Sequence, residues 1–257
     1  MTLNLINRFI PAGKAAAVHL VCSSGIALLA AALVFGVWYP APYDQLSGGR
    51  ELFLLVMAVD VVCGPLLTLV LFNPMKPHTE LYRDLGLVAV LQVLALIYGL
   101  ATVLTARPLF LVHEIDRFKV VAAPDVDSAA LDALPEGLRP VWWFGPLIVS
   151  VREPRDAGER QSVMIESAVG GRDYAERPEF YLPYDKTAAQ KALLRAKPLE
   201  IFLQKRPEQQ SEARKLVSSK GVNIAQWMYL PVVARQDWIA VLDNQGQIQG
   251  FLKGDGF

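Results

Sequence analysis

The sequence predicts a membrane protein in which a three-helix transmembrane bundle is followed by an α+β domain outside the membrane. Charge is distributed unevenly, since only ten of the fifty Asp, Glu, Lys and Arg residues lie before Arg107. The part before Arg107 contains three long apolar runs, and the remainder has the composition of a soluble domain. In that remainder, strands are predicted first, then helices, then strands, which is typical of an α+β domain. We therefore predict a transmembrane domain at 1–106 and a folded domain at 107–257.

The three apolar runs are long enough to span a membrane. They lie at about 16–38, 52–72 and 85–104, and each contains about the 20 residues that a helix needs to cross a hydrocarbon core of roughly 30 Å. Buried helices of soluble proteins rarely extend so far with so little charge. The first run follows the basic residues Arg8 and Lys14, as a signal peptide does. It is too long for one, and no small-x-small cleavage site follows it, so we expect an uncleaved anchor.

The Lys and Arg residues in the short loops predict the orientation of the spans. Four of them, Arg8, Lys14, Lys76 and Arg83, lie before the first span or between the second and third spans. The loop between the first two spans contains only Arg50. Because basic loops remain on the cytoplasmic side, the N-terminus is expected to be cytoplasmic and the C-terminal domain to lie outside.

An acidic residue interrupts the second apolar run. Asp60 lies near its middle and is followed by Gly64 and Pro65. A carboxylate at that depth costs about 2.5–3.5 kcal/mol on insertion scales, so it must be protonated, paired or close to water. Asp60 is therefore either a partner-binding or relay residue, or a residue that is hydrogen bonded to a neighbouring helix. Pro65 removes one backbone donor and is expected to kink the helix.

Small residues recur every four positions in the first apolar run. Ser23, Ala27 and Ala31 form one series, and Ala32 and Gly36 form another. This spacing lets a second helix approach closely. The approaching helix belongs either to the bundle itself or to another protein, and the sequence leaves both interpretations open.

Candidate strands lie at both ends of the second part, and candidate helices lie between them. The candidate strands are 109–121 with a charged break at 114–117, 147–151, 227–233, 238–242 and 248–252. The candidate helices are 157–169, 185–205 with a break or bend at Pro198, and 207–220. A domain of this length can form its own hydrophobic core.

Signals for catalysis, metal binding and nucleic-acid binding are nearly absent. His113 and Glu114 begin like a zinc-protease helix, but Arg117 stands where a second His is required. The part from Arg107 onwards has one His and no Cys, which excludes a His/Cys metal cluster there. Net charge is zero, whereas a nucleic-acid-binding protein needs a basic patch or a high pI. We therefore expect no enzyme activity, no cofactor, no metal ion and no nucleic-acid partner.

Several segments of the sequence resemble the TfpX/TfpZ family of type IV pilin accessory proteins. The resemblance is dense through about residue 125 and thin from there to the C-terminus. The matching segments are Val37–Pro40, Leu46–Phe53, Val59–Leu69, Tyr82–Leu85, Leu91–Gln92, Tyr98–Gly99, Ala106–Pro108, Glu114–Phe118 and Tyr229–Pro231.

This resemblance implies a bacterial inner-membrane protein with its C-terminal domain in the periplasm. It further implies that the protein binds a cognate type IV major pilin and assists pilus assembly or pilin supply, with no catalytic residues. Within the matching segments, we expect Asp60, Gly64, Pro65, Arg50 and Glu51 to contact the partner. The lipid bilayer and the pilus assembly machinery are further expected partners. The alternative is a membrane-bound enzyme that acts on pilin or on a lipid-linked substrate.

Overall fold

A computed structural model of the protein describes residues 2–141, 143, 145–218 and 224–257. The contacts within it divide the chain into two units. The first unit contains the chain up to Val37 together with Gly49–Thr105, and the second contains Trp38–Gly48 and Ala106–Phe257. The segment Trp38–Gly48 lies between the first two apolar runs in the sequence, but its contacts are with the second unit.

The first unit consists of three long helices. They are α1 at Thr2–Leu33, which continues as a π-helical stretch at Val34–Trp38, α3 at Gly49–Leu71 and α4 at His78–Thr105; the short α2 at Tyr43–Leu46 belongs to the second unit. All three long helices are sufficiently long and apolar to cross a membrane. The predicted apolar helices are thus confirmed. Each helix extends beyond its apolar run, because polar flanking residues continue the same backbone hydrogen bonding.

Helix α3 packs against both α1 and α4. Two glycines allow the close contact between α3 and α4. The side chain of Gln92 lies directly over Gly64, and the side chain of Val56 lies directly over Gly99, so that a Cβ atom at either glycine would collide with it. This arrangement is typical of membrane helices, in which small residues let two backbones approach each other.

The two series of small residues on α1 and its π-helical continuation face different directions. Ser23 is buried, and Ala27 and Ala31 are half-buried. Ala32 and Gly36 are exposed, and nothing lies within 4 Å of the position that a Cβ at Gly36 would take. The first series therefore packs within the bundle, whereas the second remains on the surface of this unit.

The second unit is built on a mixed β-sheet, which has eight strands within the described residues. The strands are β1 at Pro108–Glu114, β2 at Arg117–Ala122, β3 at Leu147–Val151, β4 at Tyr181–Pro183, β5 at Lys197–Pro198, β6 at Met228–Val233, β7 at Trp238–Leu242 and β8 at Ile248–Lys253. Their order is β4-β3-β1-β2-β6-β7-β8, with β5 paired to β6. The pairs β1/β3 and β2/β6 are parallel, and the other pairs are antiparallel.

Five further helices accompany this sheet in the described part of the chain. They are α5 at Ser128–Asp132, α6 at Ala157–Ala168, α7 at Lys186–Leu193, α8 at Leu199–Lys205 and α9 at Gln210–Ser218. The carboxylates of Asp127, Asp156 and Asp185 accept hydrogen bonds from backbone N–H groups in the first turns of α5, α6 and α7. Such N-caps fix where a helix begins. The predicted α+β class is confirmed.

The predicted strands and helices agree with the structure in most places. Strand β3 coincides with the predicted 147–151, and the segment 109–121 forms the hairpin β1–β2, which turns at the charged break. The segment 185–205 forms two helices, α7 and α8, with β5 and its Pro198 between them. The sequence does not predict β4, and the C-terminal end of the helix expected at 207–220 lies outside the described residues.

Both faces of the sheet carry hydrophobic core. On one face, Leu111, Phe118 and Leu230 pack with Ala192 of α7 and with the segment Trp38–Gly48. On the opposite face, α8 and α9 pack against β6, β7 and β8. A third cluster lies beneath β1 and β3, beside α5. The sheet therefore separates two layers, one of which includes residues from the segment between the first two long helices.

The segment Trp38–Gly48 is held in the second unit by specific contacts. Leu46 has 0% exposure, and its carbonyl accepts a hydrogen bond from the Arg235 N–H at 3.0 Å. The Tyr43 and Phe251 rings contact each other with their centroids 5.7 Å apart. Gly48 has a φ of +74°, which favours glycine, and the Arg235 side chain occupies the space that a Cβ would need. This segment is thus an integral part of the core of the second unit.

Candidate partner-binding sites

The five predicted site residues all lie on α3, but at two separate levels. Arg50 and Glu51 are exposed in its first turn, whereas Asp60, Gly64 and Pro65 lie in its middle. At a rise of 1.5 Å per residue, Arg50 is about 15 Å from Asp60 along the helix axis. The structure therefore brings Asp60, Gly64 and Pro65 together and leaves Arg50 and Glu51 apart from them.

Asp60 lies on the side of α3 that faces the other helices. Phe53, Met57, Gly64 and Thr68 are buried on this side, and Asp60 falls between them at helical spacings of three and four residues. Asp60 itself is half-buried. Its carboxyl group is consequently near the helix contacts of the bundle, where an acidic residue of a membrane segment is usually found.

Gln92 of α4 binds the turn of α3 that contains Asp60. The Gln92 Nε2 donates a hydrogen bond to the backbone carbonyl of Asp60 at 2.9 Å, and the same side chain covers Gly64. Pro65 has no N–H and perturbs the preceding turn of the helix. Within a membrane, a polar side chain of a neighbouring helix can satisfy the backbone groups of such a turn. Gly64 provides the space for Gln92.

A second polar contact joins α1 to α3. The His19 Nδ1 lies 2.6 Å from the Thr68 Oγ1, and the Ser23 hydroxyl donates to the His19 carbonyl at 2.7 Å. The sequence alone does not identify Gln92 or Thr68 as helix-contact residues. Gln92 enters the sequence prediction only within a segment that resembles the TfpX/TfpZ family. Each of the two is an isolated polar residue in an apolar run, and this signal could have identified both of them.

A second candidate site is a cleft of about 1310 Å³ in the second unit. Its floor is formed by the neighbouring strands β1, β3 and β4. His113, Ser150 and Leu182 lie side by side on these strands, since Ser150 is in register with both of the others. Residues of α6 and α7 form the walls of the cleft. We name this site the sheet cleft.

His113 in the floor of the sheet cleft is buried, with 5% exposure. Its Nε2 has no hydrogen-bond partner among the described residues, and its ring packs against the rings of Phe118 and Tyr184. Burial lowers the pKa of His113 to about 4, so the ring is neutral at pH 7. Since His113 lies on a strand, it cannot begin a zinc-protease helix. The neighbouring Ser150 hydroxyl donates to the Pro183 carbonyl at 3.2 Å.

Ion pairs stabilise the surroundings of the sheet cleft. Arg152 forms two hydrogen bonds of 2.8 Å with the Glu159 carboxylate, which lowers the pKa of Glu159 to about 2. Lys119 lies between Asp173 at 3.0 Å and Glu176 at 2.9 Å. In the described part of the chain, no three His, Cys, Asp or Glu side chains are grouped so that they could hold a metal ion. These charges therefore pair with one another.

The fold defines a membrane-anchored α+β protein, with three apolar helices and a mixed-sheet domain. The family described as Fimbrial assembly protein FimB matches residues 7–48. The fimbrial assembly proteins of serogroups I and E1 from Dichelobacter nodosus are 35% and 34% identical to this chain over 256 residues, which cover 97% of this chain and 98% of each relative. The chain belongs to the FimB family of fimbrial assembly proteins.

Another relative matches over a shorter length. The fimbrial assembly protein of serogroups C1 and C2 from the same organism is 40% identical over 129 residues, which are 50% of this chain and 96% of that protein. No solved structure matches the chain. These family names are compatible with the TfpX/TfpZ resemblance of the sequence. The family match at 7–48 includes the whole of the segment Trp38–Gly48.

Proposed function

We propose that this protein is an inner-membrane accessory protein that binds a cognate type IV pilin and assists pilus assembly or pilin supply. The observation that carries the proposal is the match to relatives named fimbrial assembly proteins, which extends over 97% of the chain. These names describe assembly rather than catalysis. A pilin in the membrane has a single helix and a globular head. A helical bundle joined to a folded domain offers a binding surface for each part.

The surface of the bundle supports this proposal. Ala32 and Gly36 on the exposed side of α1 allow a partner helix to approach closely. Arg50 and Glu51 are exposed at the beginning of α3, and we expect them to contact the pilin near the edge of the membrane. We expect Asp60 to contact the pilin helix, while Gly64 and Pro65 position the turn that presents it.

Co-purification tests the proposed function. The tagged full-length protein, extracted in a mild detergent from a strain that makes its pilin, is expected to retain that pilin. A strain without the protein is expected to assemble fewer pili from an unchanged amount of pilin transcript. A tagged three-span membrane protein of unrelated function is the control. Equal pilin recovery from both proteins, together with normal pili in the deletion strain, would contradict the proposal.

Topology is the first prediction that depends on this proposal. A reporter that is active only in the periplasm is expected to be active after Phe257 and inactive near Lys76. The reason is the excess of Lys and Arg in the segments that we assign to the cytoplasmic side. A reporter that is active only in the cytoplasm, fused at the same two positions, should give the opposite pattern. A cytoplasmic C-terminus would remove the domain from the pilin head and refute the proposal.

Replacement of Asp60 by leucine is expected to reduce piliation without reducing the amount of protein in the membrane. The change removes an insertion penalty of about 3 kcal/mol, so membrane insertion is retained or improved. The proposed contact with the partner is lost at the same time. Piliation is counted by electron microscopy, and the protein is quantified by immunoblotting of membranes.

Two further variants show what Asp60 does. Asp60→Asn keeps the hydrogen-bonding capacity of the side chain, and Val59→Leu changes the exposed neighbouring residue as a control. If Asp60 only fastens the bundle, Asp60→Leu will lower the amount of protein and Asp60→Asn will largely restore it. Normal pili in the Asp60→Leu strain would exclude Asp60 from the partner site.

A further inference from the structure

The rim of the sheet cleft is apolar and exposed. Ile115, Met164, Leu182 and Leu194 all line the cleft, and Leu194 reaches 83% exposure. Ile115 has a φ of +51°, which is unfavourable for a β-branched residue, and it holds this conformation at the β1–β2 turn. A group of exposed apolar side chains around one concavity is typical of a binding surface.

The floor of the sheet cleft contains an unused hydrogen-bonding group. Buried polar atoms of proteins are nearly always hydrogen bonded, and an exception calls for a physical explanation. The Nε2 of His113 is such an exception among the described residues. A bound molecule that carries its own donor or acceptor would supply the missing bond.

Two arginines of the sheet cleft have no acidic partner in the described part of the chain. Arg160 and Arg195 line it and form no ion pair with any residue that the structure describes. Lys191 lies 3.9 Å from Glu153, and both side chains are exposed, so this pair is weak. The rim is therefore suited to a ligand with a negative charge.

The other acidic residues of the lining interact with groups other than Arg160 and Arg195. Asp173 is paired with Lys119, and Asp185 caps α7. Burial and the neighbouring Asp173 raise the pKa of Glu114, and the cations Lys119 and Arg117 beside it act in the opposite direction. An anionic group of the ligand can therefore pair with Arg160 or with Arg195.

The chemistry of the floor favours a polypeptide over a lipid. A peptide backbone carries a donor and an acceptor at most residues and can pair with Nε2 in either tautomer of the neutral ring. A fatty acyl chain carries neither. The volume of about 1310 Å³ exceeds the roughly 300–1,000 Å³ of pockets for small ligands.

We propose that the sheet cleft binds an extended, apolar segment of the pilin head that contains an acidic residue. The apolar side chains of the segment contact Met164, Leu182 and Leu194, its main chain pairs with the His113 Nε2, and its carboxylate pairs with Arg160 or Arg195. This inference rests on the proposed function, because it assigns one surface of this protein to the pilin.

Site-specific cross-linking tests the position of the pilin. A photo-cross-linking residue is placed at Leu194 in the full-length protein, in membranes that contain the pilin. Val169 is the control position, because it is also exposed but does not line the sheet cleft. A third position, Ala32 on α1, reports contact with the pilin helix. We expect a pilin adduct from Leu194 that maps to one extended segment with an acidic residue, and no such adduct from Val169.

The three positions separate failure of this inference from failure of the proposed function. Pilin adducts from Ala32, or co-purified pilin, without an adduct from Leu194 would overturn the inference and leave the proposed function intact. A lipid adduct from Leu194 in place of pilin would overturn it as well. The absence of pilin adducts from all positions, together with no co-purified pilin, would refute the proposed function itself.

Substitution of His113 separates binding from stability. His113→Leu removes the buried Nε2 that has no partner among the described residues and also the hydrogen bond between the His113 ring and the Ile115 backbone, so the stability of the second unit is expected to change little. The same variant is expected to retain the pilin about 3- to 10-fold less well, as the loss of one hydrogen bond predicts. Stability is measured by proteolysis in increasing urea, and retention by quantitative co-purification of the full-length protein. A His113→Leu protein that is equally stable and retains pilin normally would overturn the role of His113.

The two arginines provide a second, independent test. The double variant Arg160→Ala, Arg195→Ala is expected to retain less pilin than the wild-type protein at low salt. This difference should become smaller at high salt, because screening also weakens the contact that the wild-type arginines make. Arg214→Ala, an exposed arginine of α9 outside the sheet cleft, is the matched control. Equal retention by the double variant and the control at low salt would overturn the proposed contact with an acidic residue.

Discussion

Replacement of Leu46 by alanine is expected to lower the free energy of unfolding of the second unit by about 2–5 kcal/mol. Leu46 is fully buried in the core on one face of the sheet, although it lies in the segment between the first two membrane helices. Truncation removes the contacts of its side chain and leaves a cavity. Proteolysis of the detergent-solubilised protein in increasing urea measures the change.

A leucine in the same unit provides the control for this experiment. Leu194 is exposed, so Leu194→Ala is expected to change the unfolding free energy little. A fragment of residues 106–257 lacks both Tyr43 and Leu46 and should lose about 5–10 kcal/mol, which is comparable with the whole stability of a domain. Linking residues 38–48 to this fragment should restore folding. Equal urea midpoints for Leu46→Ala and Leu194→Ala would show that the segment does not stabilise the second unit.

Exchange of the second unit between relatives is expected to exchange their preference for pilins. We propose that the bundle recognises pilin helices generically, because apolar helix packing discriminates poorly between similar helices. Hydrogen bonds and charge complementarity on the second unit can reject a wrong pilin head. The structure also determines how the chimera should be built: Trp38–Gly48 must be transferred together with Ala106–Phe257, since both form one core.

Two chimeras show whether this division of roles is correct. The chimera with both segments of a relative should support the pilin of that relative and lose support for its own. The chimera that receives only 106–257 should be present in lower amounts. In it, Tyr43 and Leu46 of this protein pack against core residues of the relative, which differ from their own. Pili are counted with each pilin expressed separately. If the complete chimera keeps its original preference, specificity resides in the membrane helices.

The membrane helices could be predicted from the sequence because their cause is local. A run of about 20 apolar residues forms a helix in a membrane whatever its neighbours are, since every backbone group must be satisfied within the segment. The helix-to-helix contacts do not have a local cause. Gln92 is 32 residues from Asp60 in the chain, and only the packing of α3 against α4 brings its amide to the Asp60 carbonyl.

The strands show the same difference between local and long-range causes. Strand β3 could be predicted because Leu147–Val151 is a short β-branched run after a proline. Strand β4 has only three residues, one of them a proline, and it forms because Val149, Ser150 and Val151 provide a pairing edge. A proline is tolerated there because β4 lies at the edge of the sheet. No pattern within Tyr181–Pro183 indicates this pairing.

The sheet cleft could not be predicted for a related reason. His113 is the lone histidine of its part of the chain, and its chemistry depends on burial against Phe118, its partner in the β1–β2 hairpin, and against Tyr184, which is distant in sequence. The walls of the sheet cleft come from α6 and α7, which follow β3 and β4 respectively. The sequence shows which residues are polar, but the fold decides which of them lack a partner.

The chain passes between the two units three times, after Val37, after Gly48 and after Thr105. The second unit is therefore tethered by three backbone connections, one to each long helix. A domain on a single linker transmits any pulling force to one helix, whereas here a load is shared among three. Cleavage after Thr105 would leave Ala106–Phe257 held only by its packing against Trp38–Gly48, which stays connected to the first two long helices.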